Sequence, residues 1–208
     1  MEYLEKYGDI PFTKKDILKY IEENFKLNMN NIENARDHIN LLQWKEIELI
    51  LYLLPRPSAR PRYSFKTSHF YVPGAGAGKK LMKKRIKESN IIYTRVEYIL
   101  ETYQPQPISS MNNTEIYLAE EGLLRPIQNP DWDNLGKTYS DMLIDVLLLN
   151  DNIITSGRVE KYFSLKPRVR IILRYQDDFD SRYNKKKITS STSYIKAKNQ
   201  GLIYDRKE

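Results

Sequence analysis

The alternation of apolar and polar positions separates a helix-like beginning of this chain from a strand that follows it. Residues 1–43 carry apolar side chains at helical spacing, with Thr13 opening a capping box and a second helix predicted over 32–42. Over residues 45–53 the period changes to two, which is typical of a strand. The strand is expected to end at Pro55, because proline cannot donate a ladder hydrogen bond.

Further along the chain, the same patterns predict more strands and helices. The alternation over 91–100 is poor, so a longer helix remains an alternative to a strand there. Strands at 152–163 and 168–175 are predicted to form a hairpin around Pro167. The predicted helices cover residues 79–90, 114–121 and 133–149.

Composition excludes several kinds of chemistry. The 208 residues contain no cysteine, which rules out disulfides, Cys-ligated zinc and a cysteine nucleophile. The N-terminus is polar and no run of 18 apolar residues occurs, so neither a signal peptide nor a membrane span is expected. Lys and Arg number 34 against 27 Asp and Glu, giving a net charge of +7 that favours a polyanionic partner.

The positive charge is concentrated between residues 55 and 95. This segment has eleven basic residues and one acidic residue, Glu88, so its excess of +10 exceeds that of the whole chain. A basic helix alone is usually a solvated face, but here a proline-rich arginine arm precedes it, which favours contacts with nucleic-acid phosphates. The candidate DNA-binding residues are Arg56, Arg60, Arg62, Lys66, Lys79, Lys80, Lys83 and Lys84.

An acidic block interrupts the basic character at the start of the predicted helix 133–149. Asp131 and Asp133 are expected to lie on one side of an extended segment, with Asp133 or Asn134 capping the helix. Neighbouring carboxylates repel, and a divalent cation such as Mg²⁺, which prefers oxygen ligands, removes that penalty. Lys137 follows one turn later, where it can stabilise charge on a phosphate oxygen.

Three further aspartates leave alternatives open. Asp151 can join the acidic block only if the chain turns back, and between two asparagines it is also typical of an ordinary turn. Asp141 and Asp145 continue the stripe of Asp133 and Lys137, which favours a solvated helix face. Asp141 nevertheless remains a secondary candidate for the site, because it lies on the same helix face as Asp133 and Lys137.

These motifs together resemble the RusA family of Holliday junction resolvases. The resemblance rests on Pro130-Asp131-Trp132-Asp133-Asn134-Leu135 with Lys137 and Asp141, on Leu149-Asn150-Asp151, and on the arm from Pro55 to Arg62 followed by Tyr71-Val72-Pro73. It covers about residues 44–175. It implies an α+β fold, a small mixed β-sheet packed with helices. The residue pattern itself predicts a helical extension over 1–43 and a polar basic tail with weak structure over 176–208, and neither has a counterpart in the family.

The resemblance also implies a function. Such a protein is a homodimeric endonuclease that uses Mg²⁺ or Mn²⁺ to resolve four-way DNA junctions by paired phosphodiester hydrolysis in recombination and repair. By position, Asp131, Asp133 and Asp151 bind the metal and Lys137 is essential. A cytoplasmic protein encoded by a bacterium or a phage is expected. The chain departs from the family at Asn129, often basic there, and at Asn150, often acidic there.

Two other functions remain as alternatives. A junction-binding protein without catalysis is one, suggested by Asn150 and by the added terminal segments. A metal-dependent transferase that uses Asp131 and Asp133 to hold a sugar nucleotide is the other. The transferase lacks a nucleotide-binding pattern and does not explain the basic arm.

Overall fold

A computed structural model describes most of the chain, which divides into two compact units, Met1–Leu42 and Gln43–Glu208. The described residues are 13–57, 62–64, 66, 69–71, 77–86, 90–176 and 189–203.

The described part of the N-terminal unit, from residue 13 onward, contains two helices, α1 (Lys14–Asn24) and α2 (Met29–Leu41). The Thr13 side chain accepts a hydrogen bond from the Asp16 N–H, so the predicted helix start is confirmed. The Asp16 carboxylate accepts from the Thr13 hydroxyl rather than from the Thr13 backbone N–H, so the second bond of the predicted capping box is replaced by a bond between side chains. Helix α2 begins three residues before the predicted position, because the Asn28 side chain caps it by accepting a hydrogen bond from the backbone N–H of Asn31. Neither helix contains a buried residue.

The larger unit is built on a mixed four-stranded sheet in the order β1-β6-β4-β5. Strands β1 and β4 each pair antiparallel with β6, whereas β4 and β5 run parallel. The α+β class is therefore confirmed, and the ambiguous region after residue 91 contains a strand rather than a longer helix. The strands are β1 (Lys45–Leu51), β4 (Val96–Pro105), β5 (Ile154–Ser164) and β6 (Arg168–Tyr175). A separate two-stranded ladder joins β2 (Arg62–Ser64) to β3 (His69–Tyr71).

The hairpin predicted around Pro167 is wrong. Strands β5 and β6 have the predicted positions, but β4 lies between them and pairs with both. The short connection at 165–167 thus passes the end of β4, where Pro105 has no N–H to extend the ladder. A period of two identifies a strand and leaves its partner unspecified.

The two faces of the sheet have opposite characters. On one face, Ile47, Leu49 and Leu51 of β1 lie opposite Leu173, Ile171 and Val169 of β6. These side chains belong to the main core, which also contains Leu135, Tyr139 and Leu143 of helix α5 (Trp132–Leu143). The other face carries acidic and basic side chains in alternate columns. We call this surface the charged face; it consists of Glu46, Glu48, Glu97, Glu101, Arg170 and Arg174.

Helix α5 is shorter than the predicted helix 133–149 at its C-terminal end. It stops at Leu143, and Asp145 adopts a positive φ of 61°. The following residues, Val146 to Leu149, are all less than 7% exposed. A continuous apolar run does not distinguish a buried helix from a buried irregular segment, which explains the error.

Two shorter helices accompany the sheet. Helix α3 (Ala77–Arg85) packs Gly78 against α5 so closely that a Cβ there would come within 2.5 Å of the Met142 sulfur. It confirms the predicted helix at 79–90 up to residue 85. Helix α4 (Asn113–Glu120) begins with a capping box formed by Asn112 and Glu115.

The C-terminal segment is partly folded. Residues 192–199 form helix α6 (Thr192–Asn199), in which Tyr194 and Ala197 are buried. The expectation of weak structure is therefore wrong for residues 189–203, and the rest of the predicted tail beyond residue 176 lies outside the described residues. Among the described helices, none is long and apolar enough to cross a membrane.

Candidate active site

The acidic block forms the exposed N-terminal end of helix α5. Asp131 is the N-cap residue, in an extended conformation with no capping hydrogen bond from its side chain, and Asp133 lies in the first turn. The predicted cap at Asp133 or Asn134 is thus wrong by two or three residues. Both carboxylates are exposed, and Trp132 between them is 64% exposed. The positive end of the helix dipole stabilises negative charge at this position.

Contacts with strand β5 fix the backbone of this block. The Lys161 ammonium donates hydrogen bonds to the carbonyl oxygens of Gln128 (2.8 Å) and Pro130 (3.2 Å). One turn into α5, a Cβ on Gly136 would come within 2.9 Å of Val159, so glycine permits the close approach of helix and strand. Sequence reasoning missed Lys161. The signal available for Lys161 was its basic side chain within the strand predicted at 152–163.

Lys137 lies one helical turn after Asp133 and is exposed, as its spacing predicted. The helix face beside it is buried: Thr138 and Ser140 return hydrogen bonds to the carbonyl oxygens of Asn134 and Lys137. Asp141 is half-buried, and Asp145 forms an ion pair with Lys79 at 3.3 Å. The stripe of charges therefore loses its regularity at the C-terminal end of the helix.

Asp151 is exposed at the start of a short 3-10 turn that leads into β5. The Asn150 side chain accepts a hydrogen bond from the backbone N–H of Asp151 at 2.8 Å. A carboxylate in place of Asn150 accepts the same bond, so asparagine preserves the local geometry while removing one charge.

Asp151 and the acidic pair lie at opposite ends of β5. Lys161, which holds Pro130, is seven residues beyond Ile154, and this spacing corresponds to about 23 Å along a strand. Asp151 precedes Ile154. In agreement, no group of three or more Asp, Glu or His side chains in the described part of the chain converges closely enough to hold a metal ion. Within one chain, the structure thus places the predicted ligands in two separate positions.

The predicted DNA-binding residues have different environments. Lys80, Lys83 and Lys84 are exposed on α3 while Met82 faces the core, and none of the three lysines forms an ion pair with a described residue. Lys79 is paired with Asp145. Arg56 and Lys66 are exposed, the backbone of Arg62 lies in β2, and Arg60 lies outside the described residues.

The root of the arginine arm is attached to α5. The Arg56 backbone N–H donates to the Tyr139 hydroxyl at 3.3 Å, and Pro55 is buried beside it. Burial raises the pKa of Tyr139, which therefore stays a neutral acceptor at physiological pH. The start of the arm is thus hydrogen-bonded to the same helix that carries Asp133 and Lys137.

Arginines of the charged face are engaged in ion pairs. Arg170 contacts Glu48 at 2.5 Å and Glu101 at 3.1 Å, and these hydrogen bonds raise its pKa. Arg174 contacts Glu97 at 2.9 Å and Glu46 at 3.7 Å. These side chains neutralise one another within the sheet.

Comparison with known proteins identifies the same region. The family described as Endodeoxyribonuclease RusA matches residues 53–174, more than half of the chain. The matched residues include the acidic pair, Lys137, Asp151 and the basic segment. A relative, the uncharacterized protein YqaN of Bacillus subtilis (strain 168), is 29% identical over 135 residues, which cover 62% of this chain and 95% of that protein.

Proposed function

Because the chain belongs to the RusA family of endodeoxyribonucleases, we propose that it resolves four-way DNA junctions by metal-dependent hydrolysis, with roles in recombination and repair. The observation that supports this most directly is the joint exposure of Asp131, Asp133 and Lys137 at one helix end within the matched residues. The match to a family of DNA nucleases favours a nuclease over the metal-dependent transferase.

The donor set fits Mg²⁺ or Mn²⁺. Asp131 and Asp133 offer hard, solvent-accessible carboxylate oxygens, which these cations prefer. A bound cation would activate water and polarise the scissile phosphate. Asp131 and Asp133 would hold that cation from a helix terminus whose backbone is fixed by Lys161.

Lys137 would contribute a positive charge to the site from the protein itself, in addition to that of the cation. It lies one turn from Asp133, and no described residue forms a salt bridge with it, so its ammonium is available to a phosphate oxygen. As the phosphodiester is attacked, negative charge grows on that oxygen and the ammonium stabilises it. The lysines of α3 add contacts to the flanking phosphates, which position the DNA.

The separation of Asp151 from the acidic pair leads us to propose that two copies complete each site. Along β5 the two positions are on the order of 20 Å apart, too far for one cation. In a twofold dimer, Asp151 of each copy can meet Asp131 and Asp133 of the other. A dimer of this kind has two equivalent sites, as paired incision requires.

Mixing two inactive variants tests this arrangement. Asp133→Asn and Asp151→Asn homodimers should each fail to cleave a synthetic four-way junction in Mg²⁺. A heterodimer of the two variants contains one intact site if the ligands come from different copies. Co-expression of the two variants with different tags allows this heterodimer to be purified, and it should nick one strand of the junction. If all ligands act within one chain, every site in the heterodimer is damaged and no nicking returns.

Asp145→Asn provides a matched control. It removes a carboxylate two residues beyond the C-terminal end of α5, and asparagine tolerates the positive φ at this position. Its cleavage rate should stay within about twofold of the wild type, as is typical of a surface substitution. Loss of cleavage in this variant would show that the assay reports helix integrity rather than the metal site.

A non-catalytic junction-binding protein is the second candidate. The observation that favours it is that the described carboxylates do not converge within one chain. Tight junction binding by the wild type without incision in Mg²⁺ or Mn²⁺ would support this function and exclude the nuclease.

A further inference from the structure

A second, smaller core joins the C-terminal segment to the chain just before Asp151. Tyr194 and Ala197 of α6 and the following Ile203 are 5–6% exposed, and they pack with Ile91 and Leu149. The Tyr194 ring also packs edge-on against the Tyr93 ring, with 5.4 Å between the ring centroids. Leu149 thus has its buried side chain in this core rather than in the main one.

Backbone hydrogen bonds connect the same three segments in series. The Ile91 N–H donates to the Leu202 carbonyl at 2.9 Å. The next residue, Ile92, donates to Leu147 at 2.7 Å and accepts from Leu149 at 2.9 Å. The C-terminal segment is therefore linked through residues 91–92 to the stretch that ends two positions before Asp151.

These contacts determine where Asp151 begins its turn. On one side, Leu149 is fixed by the small core; on the other, Ile153 is 7% exposed in the main core. Between these two buried residues, the Asn150 side chain accepts a hydrogen bond from the Asp151 N–H. The C-terminal segment lies outside residues 53–174, so this support is an addition to the matched family region.

We propose that residues 189–203 are a positioning element for Asp151, which hold its carboxylate ready for the cation through Leu149. The inference rests on the proposed function, in which Asp151 is a metal ligand. Small displacements of a ligand weaken a metal site, and substitutions of supporting residues typically lower metal affinity or activity by about 10–100-fold. Ile203 is the clearest lever, because it is buried in the small core and far in sequence from the ligands.

The test compares Ile203→Ala with the conservative Ile203→Val. Ile203→Ala should raise the Mg²⁺ concentration for half-maximal junction cleavage by about tenfold, with cleavage recovering at high Mg²⁺. Ile203→Val, which removes a single methyl group, should stay within about threefold of the wild type. Backbone amide exchange of residues 147–153, measured without metal or DNA, should be faster in Ile203→Ala.

Val169→Ala is the matched control for lost stability. Val169 is fully buried in the main core at the far end of β6, opposite Leu51 and Thr102. The Val169→Ala variant should lower the melting temperature, as Ile203→Ala does. It should leave unchanged the Mg²⁺ requirement for cleavage and the amide exchange of residues 147–153, when these two are measured well below the melting temperature. An unchanged Mg²⁺ requirement in a folded Ile203→Ala variant would overturn the proposal.

The two proposals fail in different ways. If the wild type cleaves no junction in Mg²⁺ or Mn²⁺, the proposed function is wrong. Amide exchange then decides alone whether the C-terminal segment holds residues 147–153, and unaltered exchange in Ile203→Ala overturns that as well.

Discussion

The charged face of the sheet and helix α3 are both rich in cationic side chains, but they differ in how these are paired. The arginines of the charged face all have glutamate partners, whereas on α3 Lys79 is paired with Asp145 and three other lysines have no partner among the described residues. Arg170 and Arg174 stand between columns of glutamates on β1 and β4, because β6 lies between those strands. On α3, Lys80, Lys83 and Lys84 have no described acidic partner. The same residue types therefore stabilise the fold in one region and remain available to a polyanion in the other.

This difference changes how the net charge is interpreted. An arginine that already bonds two carboxylates loses those bonds if it binds a phosphate, whereas an exposed lysine loses only water. The excess of basic residues between 55 and 95 is thus more informative than the total of +7. Carboxylates divide in the same way: those of the charged face are paired with arginines, and Asp131 and Asp133 are exposed at a helix end.

The largest expected effect separates the two classes of carboxylate. Asp131→Asn should reduce junction cleavage by more than about 100-fold, the upper range for loss of an outer-shell partner of a metal site. Junction affinity without metal should be unchanged or higher, because one repulsive charge is removed. Glu97→Gln also removes a carboxylate, in this case the ion-pair partner of Arg174, and this variant should cleave normally. Gel-based cleavage and binding assays measure both; equal loss in the two variants would contradict the comparison.

The next effect concerns the cations. Replacing Lys80, Lys83 and Lys84 by glutamine should weaken junction binding and make the slope of log K against log salt shallower by about 2.7, if each contacts one phosphate. Arg174→Gln should leave the slope unchanged, because this arginine is engaged by Glu46 and Glu97. Fluorescence anisotropy titrations between low and physiological salt give the slopes. An equal decrease for Arg174→Gln would mean that the charged face also binds DNA.

Local signals in the sequence were sufficient for some elements and insufficient for others. Thr13 and the run ending at Leu51 identified a helix start and a strand, because capping and alternation act over a few residues. The pairing of β5 with β4 depends on contacts across some 60 positions, which no local pattern encodes. The C-terminal helix was missed because its buried residues are few and its surroundings polar.

The candidate site has the same division. The exposure of Asp131, Asp133 and Lys137 follows from their place at a helix start and could be anticipated. The position of Asp151 could not, because it depends on where α5 ends and on the direction of β5. The anchoring role of Lys161 depends on tertiary contact alone.

A smaller effect is expected in stability. Arg170→Met leaves Glu101, whose side chain is 10% exposed, without its main partner, and should lower the free energy of unfolding by about 2 kcal/mol. Lys83→Met, from an exposed position on α3 with no salt bridge to a described residue, should change the free energy of unfolding by less than about 0.5 kcal/mol. Urea denaturation gives both values. A larger loss in Lys83→Met would reverse the assignment of the two regions.

The smallest effect concerns pH and contrasts the main core with the charged face. Burial raises the pKa of Tyr98, which is 4% exposed and donates a long 3.4 Å hydrogen bond to the Gly136 carbonyl. A group with a raised pKa in the folded state contributes stability that is complete below the unfolded pKa, about 10, and is lost as pH rises above it. Tyr98→Phe should therefore lower stability only slightly at pH 7 and reduce its decline between pH 10 and 11, by at most about 1.4 kcal/mol per pH unit.

Tyr103 on the other side of the sheet gives the matched variant. Burial and a 2.8 Å hydrogen bond to Glu101 raise its pKa, but it is only partly buried. Tyr103→Phe should consequently lower stability more than Tyr98→Phe at pH 7, where the bond to Glu101 is lost, and improve alkaline stability less. Urea unfolding at pH 7, 10 and 11 distinguishes them. If Tyr103→Phe protects more at pH 11, the larger rise of the folded-state pKa belongs to Tyr103 rather than to Tyr98, and the comparison is reversed.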